Sequence, residues 1–279
     1  MAVEYAELFA PEMEQAFALG SLTGVFTAKY DWTGAKTVKV STITTLALSD
    51  YARTGTARFG TQGDVATTHQ HLEVDKERSF TGFVDGLDKG DTMGALNAGA
   101  FLRAEVDEKV IPDVDAYVFA ALYTACPTGQ VSASAAITSA NAYTTFLTGN
   151  QTLDEAKVPK PGRVCFATPQ YLNSIKLDSN YVKASEMAQS QVIFNGQVGA
   201  IDGVPVVMVP ASIMNATDNH MDFIIVHTAA VARPIKLSYY NVSTNPAGIG
   251  YGDLVEGLTV FDCFLLTAKN AGIYIHIHA

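Results

Sequence analysis

The hydrophobic pattern of this chain centres on one long helical stretch, residues 92–125. In its C-terminal half, apolar side chains recur at helical spacing and form one stripe: Val110, Val114, Tyr117, Val118, Ala121 and Leu122. We predict Thr92 as the N-cap, and Cys126 as the end, because the residue before a proline disfavours the helical region. Pro112 lies mid-helix and lacks a backbone donor, which predicts a kink and not a stop. We expect this helix to act as a spine with sheet-rich segments at both ends.

Alternating strands precede the spine. Residues 37–43 alternate between apolar and polar positions, and so do residues 72–76, which continue into 78–84. Residues 45–68 between them are polar and rich in Gly and Thr, too long for an ordinary turn and too poor in apolar residues to fold alone. We predict an extended two-stranded hairpin. Because isolated hairpins are marginal in water, it either rests on another subunit or is a loose surface loop.

A mixed α/β pattern follows the spine. Strands are predicted at 163–167, 198–201, 204–209 and 223–227, with a tight turn at Asp202-Gly203. Helices are predicted at 139–147, ending near Gly149, after Thr168-Pro169, and at 181–191. The remaining strands are predicted at 235–242, 258–267 and 273–277.

The order of these elements predicts an α+β protein with an insertion. The predicted divisions are an arm at 1–33, a hairpin at 34–90, a spine unit at 91–127 and 231–279, and an inserted α/β unit at 128–230. Trp32 is predicted to anchor the arm where it joins the hairpin.

Composition narrows the functional classes. The 279 residues are 48% hydrophobic and 16% charged, which argues against disorder. The net charge of −10, with no basic run, argues against a sequence-reading nucleic-acid binder. No apolar run reaches the length of a membrane span, so we predict no membrane partner. The three cysteines are scattered, as expected of buried thiols in a reducing compartment.

No catalytic, cofactor-binding or metal-binding set stands out. The phosphate-loop, nucleophile-elbow and zinc-binding motifs are absent from the sequence. His276 and His278 share a strand face and could hold a metal, but a solvated terminal face is the favoured interpretation. The acidic residues of the spine, Asp107, Glu108, Asp113 and Asp115, are interpreted as a solvated helix face and not a cation site.

Four charged residues of alternating sign lie on a predicted strand of the hairpin. Asp75, Lys76, Glu77 and Arg78 either keep a strand edge soluble or pair with charges on a neighbouring subunit. Both interpretations stay open.

Several short motifs, in one order, resemble the major capsid proteins of tailed bacteriophages. They are Thr37-Val-Lys-Val, Asp75-x-x-Arg-Ser-Phe80, Asp91-Thr-Met93, Val110-Ile-Pro-Asp-Val-Asp-Ala-Tyr117, Val158-Pro-x-x-Gly-Arg-Val164, Ile201-Asp-Gly-Val-Pro-Val206, Phe223-Ile-Ile-Val-His227 and Gly272-Ile-Tyr274. Each motif is weak alone; their shared order along the whole chain is the specific part.

The resemblance implies the Hong Kong 97 fold: N-terminal arm, extended hairpin (E-loop), spine helix of a peripheral (P) domain and inserted axial (A) domain. It implies hexamers and pentamers that form an icosahedral shell around double-stranded DNA, contacted non-specifically, in a virion assembled in the bacterial cytoplasm. Implied partners are a separate scaffolding protein, a portal and a possible decoration protein; no cofactor is implied. Within such a shell, Arg53 and Arg58 at the hairpin tip would meet acidic groups on a neighbouring subunit.

Three alternatives stay open at this point. An encapsulin-type nanocompartment shell would use the same fold to enclose protein cargo. A soluble α/β enzyme is disfavoured by the missing catalytic motifs and the unsupported hairpin. A tail-tube protein would lack the long spine helix.

Overall fold

The computed structural model describes most of the chain. The described residues are 20–32, 35–92, 96–132, 134–179, 181, 197–217, 219–246, 248 and 250–278. Most of the predicted arm and nearly all of the predicted helix at 181–191 lie outside them.

Three strands precede the spine within the part of the chain that the structure describes. They are β1 (Thr37–Ile43), β2 (Thr67–Glu73) and β3 (Lys76–Asp85). β1 and β2 pair antiparallel, from Thr37 opposite Glu73 to Ile43 opposite Thr67. This confirms a two-stranded hairpin, but its second strand is residues 67–73. Residues 76–85, predicted to continue that strand, form the separate β3 and pair with the later strand Gly252–Phe261. Residues 44–66 between the hairpin strands contain neither helix nor strand.

The spine begins later than predicted. Helix α1 (Gly86–Asp91) is separate, and Thr92 lies at its C-terminal end, so Thr92 is not the N-cap of the spine. That role belongs to Asn97, whose side-chain oxygen accepts from the backbone N–H of Ala100 at 2.8 Å. The spine comprises α2 (Ala98–Glu105), a π turn (Val106–Val110) and α3 (Ile111–Ala125), a continuous 28 residues.

The π turn directly precedes Pro112, the second residue of α3. A proline lacks the helical donor and crowds the carbonyl four residues before it, and a wider turn relieves both effects. The helical path continues through this region, and the kink at Pro112 stays a prediction. Cys126 leaves the helical region with φ −68° and ψ 130°, which confirms the predicted end.

Among the described residues, the elements after the spine are helices α4 (Ala142–Glu155), α5 (Pro169–Leu177) and α6 (Ala211–Met214), and nine strands. The strands are β4 (Arg163–Ala167), β5 (Gln197–Ile201), β6 (Val204–Met208), β7 (Met221–His227), β8 (Val231–Ala232), β9 (Ile235–Thr244), β10 (Gly252–Phe261), β11 (Phe264–Leu265) and β12 (Ile273–Ile277). Asp202 and Gly203 have φ of 50° and 76°, as the predicted tight turn requires.

A five-stranded sheet of order β12-β7-β4-β6-β5 forms the body of the protein. One face packs against the spine, where Val118, Phe119 and Leu122 are fully buried. The opposite face packs against α4 and α5, including Phe146 and Tyr171. A second sheet, of order β3-β10-β9, joins the chain before the spine to the chain near its end.

Three boundaries differ from the sequence prediction. β10 ends at Phe261, and a 3₁₀ turn (Thr267–Gly272) follows β11 where the predicted strand would have ended. α4 continues through Gly149, which is therefore not a helix end. Glycine is needed there because any side chain would meet the ring of Tyr274, against which the helix packs closely. Strand β12, assigned by sequence to the spine unit, pairs with β7 of the inserted unit.

Candidate functional site: the assembly surface

The loop between β1 and β2 exposes an unusual amount of apolar surface. Leu48 is fully exposed, Phe59 is 87% exposed, and Ile43, Leu46, Tyr51 and Val65 are each more than half exposed. Tyr51 and Phe59 contact each other edge to face at 5.1 Å but bury little of either ring. Clustered exposed apolar side chains of this kind mark a surface that another molecule covers.

The two arginines predicted to make intersubunit contacts lie in this same loop. Arg53 and Arg58 are both exposed, and Arg58 donates from Nε to the carbonyl of Gly55 at 3.2 Å. The structure therefore places two cationic side chains among the exposed apolar ones. Their contacts with a neighbouring subunit stay a prediction.

Most of the charged residues at the foot of the hairpin have partners within the chain. Lys36 pairs with Glu73 at 3.0 Å and Asp75 at 2.9 Å, and these carboxylates raise the pKa of Lys36. Arg78 pairs with Asp113 of the spine at 3.1 Å.

Lys76 lies over the ring of Tyr117 at 5.1 Å, and Glu77 is exposed opposite Val260 of β10. These contacts fix the hairpin foot on the spine and on β10. Additional contacts with another subunit stay a prediction for all four residues.

Trp32 anchors the chain at the base of the hairpin, as predicted. It is buried, stacks on Phe264 with ring centroids 5.8 Å apart, and packs with Leu72 and Val74. The direction in which the loop leaves the body is therefore set by a buried aromatic contact.

Asp115 is not on a solvated helix face; it is almost completely buried. Its carboxylate accepts from Leu22 N at 2.7 Å, from Ser21 Oγ at 3.1 Å and from the Thr23 hydroxyl and N–H, with Arg233 at 3.8 Å. The spine thus fixes the chain at 21–23. A usable signal was present, since Asp115 shares helical spacing with Phe119 and Leu122.

Arg163 forms a second buried anchor that the sequence analysis missed. Its guanidinium donates to Asp154 Oδ1 at 2.6 Å, Val158 O at 2.5 Å, Pro159 O at 3.1 Å and the side-chain oxygen of Asn150. The Asn150 amide then donates to Asp202 at 2.5 Å, in the turn between β5 and β6. We call these residues the Arg163 clasp.

His276 of β12 is not on a solvated face, whereas the side chain of His278, just beyond the strand, is 38% exposed. His276 is buried, stacks on Phe223 with centroids 5.4 Å apart, and contacts Asp222 at 3.1 Å. His278 lies 3.4 Å from the same carboxylate. The sequence prediction failed here because helices cover both faces of this sheet.

The described residues contain no group of three or more His, Cys, Asp or Glu side chains placed to hold a metal. Within the same ranges, no helix combines the length and apolar character that crossing a bilayer needs. Cys165 and Cys263 are buried, as predicted, and burial raises the pKa of Cys263 to about 12.

The comparisons with known proteins give structural matches alone. No protein-family model and no curated protein sequence matches the chain. A solved structure from Mycobacterium phage Che8 matches with a TM-score of 0.75 at 18% identity, covering 98% of this chain and 96% of that one. The capsid structure of cyanophage P-SCSP1u matches with a TM-score of 0.76 at 13% identity, covering 99% and 93%. The mature capsid of bacteriophage PhiM1 matches with a TM-score of 0.73 at 11% identity, covering 99% and 92%.

The chain has the fold of these phage capsid structures. The match extends over nearly the whole of both chains, so it includes the hairpin and the spine as well as the five-stranded sheet. The fold expected from the short motifs is therefore confirmed at the level of the whole chain.

Proposed function

We propose that this chain is the major capsid protein of a tailed bacteriophage, a structural and non-enzymatic protein of the virion. The observation that carries the proposal is the full-length match to phage capsid structures. The loop of exposed apolar side chains supports it independently, because such a loop is stable in water only when a neighbour covers it.

The finer anatomy follows the Hong Kong 97 fold. The hairpin within 34–90 is the E-loop, the helix at 98–125 is the spine of the P domain, and residues 128–230 hold most of the A domain. Residues 1–33 are the arm. The fixing of residues 21–23 by Asp115 and the aromatic contact of Trp32 support this division, since both hold the extended segments against a rigid body.

Assembly would bury the exposed loop between β1 and β2 against a neighbouring subunit. Subunits would form hexamers and pentamers in which each E-loop lies over its neighbour, buries Leu48 and Phe59, and brings Arg53 and Arg58 to acidic side chains. Burying one large apolar side chain contributes roughly 1.5–3 kcal/mol, so a few per contact, repeated around a ring, suffice to drive association.

Further partners belong to the same proposal. They are a scaffolding protein, a portal, a possible decoration protein and the packaged double-stranded DNA. The net charge of −10 supports a shell that encloses DNA without gripping it.

The test compares the assembly of three loop or surface variants with wild type. Wild type should give shells or capsomer rings by light scattering and negative-stain imaging. Leu48→Ser with Phe59→Ser should remove most of these particles while the far-UV spectrum stays unchanged, because both side chains are exposed in the subunit. Arg53→Glu with Arg58→Glu should impair assembly in the same way.

The matched control is Leu177→Ser, an exposed leucine outside the loop, which should assemble normally. A wild-type chain that stays monomeric even when co-expressed with the scaffolding protein, or loop variants that assemble like wild type, would refute the proposal. Particles from infected cells that hold protein cargo and no nuclease-protected DNA would favour the encapsulin-type alternative.

A further inference from the structure

A cavity of about 280 Å³ lies where three chain segments meet. None of its lining residues belongs to the loop between β1 and β2. The segments are 156–159 after α4, 227–230 after β7, and 268–272 before β12. Its polar side chains are those of Lys157, His227 and Lys269, and its other lining residues are Ala, Gly, Val and Pro. The small side chains keep the cavity open, and the basic ones give it a positive lining.

This lining contains no carboxylate. Lys157 and Lys269 are both exposed, and neither takes part in the ion pairs found among the described residues. The chain has 28 acidic and 18 basic residues, so most of its charged side chains are acidic. A cavity lined by lysines and by no carboxylate is therefore unusual for this protein. An anion supplied from outside would neutralise it.

A third lysine adds to the charge of this region. The Nζ atom of Lys29 has no exposed surface and no hydrogen-bond partner. Burial, and then repulsion by Lys269, lower the pKa of Lys29 to about 8. Burial lowers the pKa of the His227 imidazole, and repulsion by Arg163, Lys269 and Lys29 lowers it further. A buried ammonium without a partner is unfavourable, and an adjacent anion would relieve it.

The backbone at two of these lysines is unusual. Lys29 and Lys157 have φ of 60° and 59°, a left-handed conformation in which glycine or asparagine is usual. Local geometry would favour either of those residues at both positions.

We infer that this cavity binds a phosphate-type oxyanion, either inorganic phosphate or a phosphate of a polynucleotide, through the ammonium groups of Lys157 and Lys269. Lysine binds phosphate as a flexible point charge, so two lysines on opposite segments can close on one oxyanion. Lys29 contributes at longer range, through its field. The inference does not depend on the proposed function.

The experiment is calorimetric titration of the full chain at pH 7, with ionic strength held constant by chloride. One arm uses inorganic phosphate and the other a short DNA duplex, so that the two sources of the oxyanion are distinguished. Lys157→Gln combined with Lys269→Gln should weaken binding by about tenfold or more, since each lysine supplies a charge-assisted hydrogen bond. The matched control, Lys176→Gln combined with Lys236→Gln, removes two exposed lysines elsewhere and should bind like wild type.

Binding of phosphate that is lost only in the cavity variant supports a small-anion site. Binding of the duplex with the same dependence supports a polynucleotide phosphate as the ligand. Absence of binding in both arms, or equal binding by wild type and the cavity variant, overturns the inference.

Discussion

Replacing Arg163 by alanine should destabilise the protein where β4 packs against α4 and the segment that follows it. The Arg163 side chain is fully buried, and four of its hydrogen-bond acceptors lie on α4 and the segment that follows it. Alanine would leave the oxygens of Val158, Pro159 and Asn150 without this donor. It would also leave Asp154 without the guanidinium that lowers its pKa.

The magnitude follows from burial. Breaking one side of a buried ion pair costs about 3–5 kcal/mol, and each orphaned buried acceptor costs about 1–3 kcal/mol before relaxation. Asp154 is partly exposed and is resolvated by water, which reduces its share. We expect the free energy of unfolding to fall by about 3–5 kcal/mol, a large part of the roughly 5–15 kcal/mol typical of a native protein.

The assay is equilibrium urea unfolding at a protein concentration where wild type and variant have the same oligomeric state. Far-UV circular dichroism reports on the sheet and helices, and the fluorescence of Trp32, the single tryptophan, reports on a separate core cluster. If the subunit unfolds as one unit, both probes should shift together.

A matched control tests whether burial is the cause. Lys160 pairs with Asp154 at 3.6 Å and Asp202 at 3.7 Å, but its side chain is 57% exposed. Lys160→Met should therefore change the free energy of unfolding by less than about 1 kcal/mol. If Arg163→Ala had an effect that small, the reasoning from the buried clasp would be wrong.

Three further predictions follow from buried or strained positions. Asp115→Ala should lower the free energy of unfolding by about 2–4 kcal/mol in urea titrations, because the N–H groups of residues 22 and 23 lose their acceptor. Gly149→Ala should lower the melting temperature despite a gain of about 1 kcal/mol in helix propensity, because its Cβ would lie 2.7 Å from Tyr274. Lys29→Met should flatten a rise in stability between about pH 8 and pH 10.5, since the unfolded state binds the extra proton in that window.

A control or a refuting result can be stated for each of these three predictions. Thermal unfolding of Gly99→Ala, where the same change meets nothing closer than 3.5 Å, provides the control for Gly149. Asp115→Asn, which keeps an acceptor, should lose less stability than Asp115→Ala, and equal losses would count against the hydrogen bonds. If the pH profiles of Lys29→Met and wild type had the same shape, the buried ammonium would not be the titrating group.

The sequence alone determined the elements that depend on local pattern. The alternation at 37–43, the turn at Asp202-Gly203 and the helical stop at Cys126 follow from backbone preferences and side-chain periodicity, and the structure has each of them. The order of the short motifs also indicated the fold, which the full-length structural matches bear out.

Tertiary structure decided what lies on each face. The sequence predicts that Asp115 and His276 face water, because charged and polar residues usually do, but a neighbouring segment covers each of them and supplies its partners. Gly149 was interpreted as a helix end, yet the ring of Tyr274 lies where its side chain would be. These outcomes depend on contacts between residues far apart in the chain, so the sequence supplies at most an indirect signal, such as the helical spacing of Asp115 with Phe119 and Leu122.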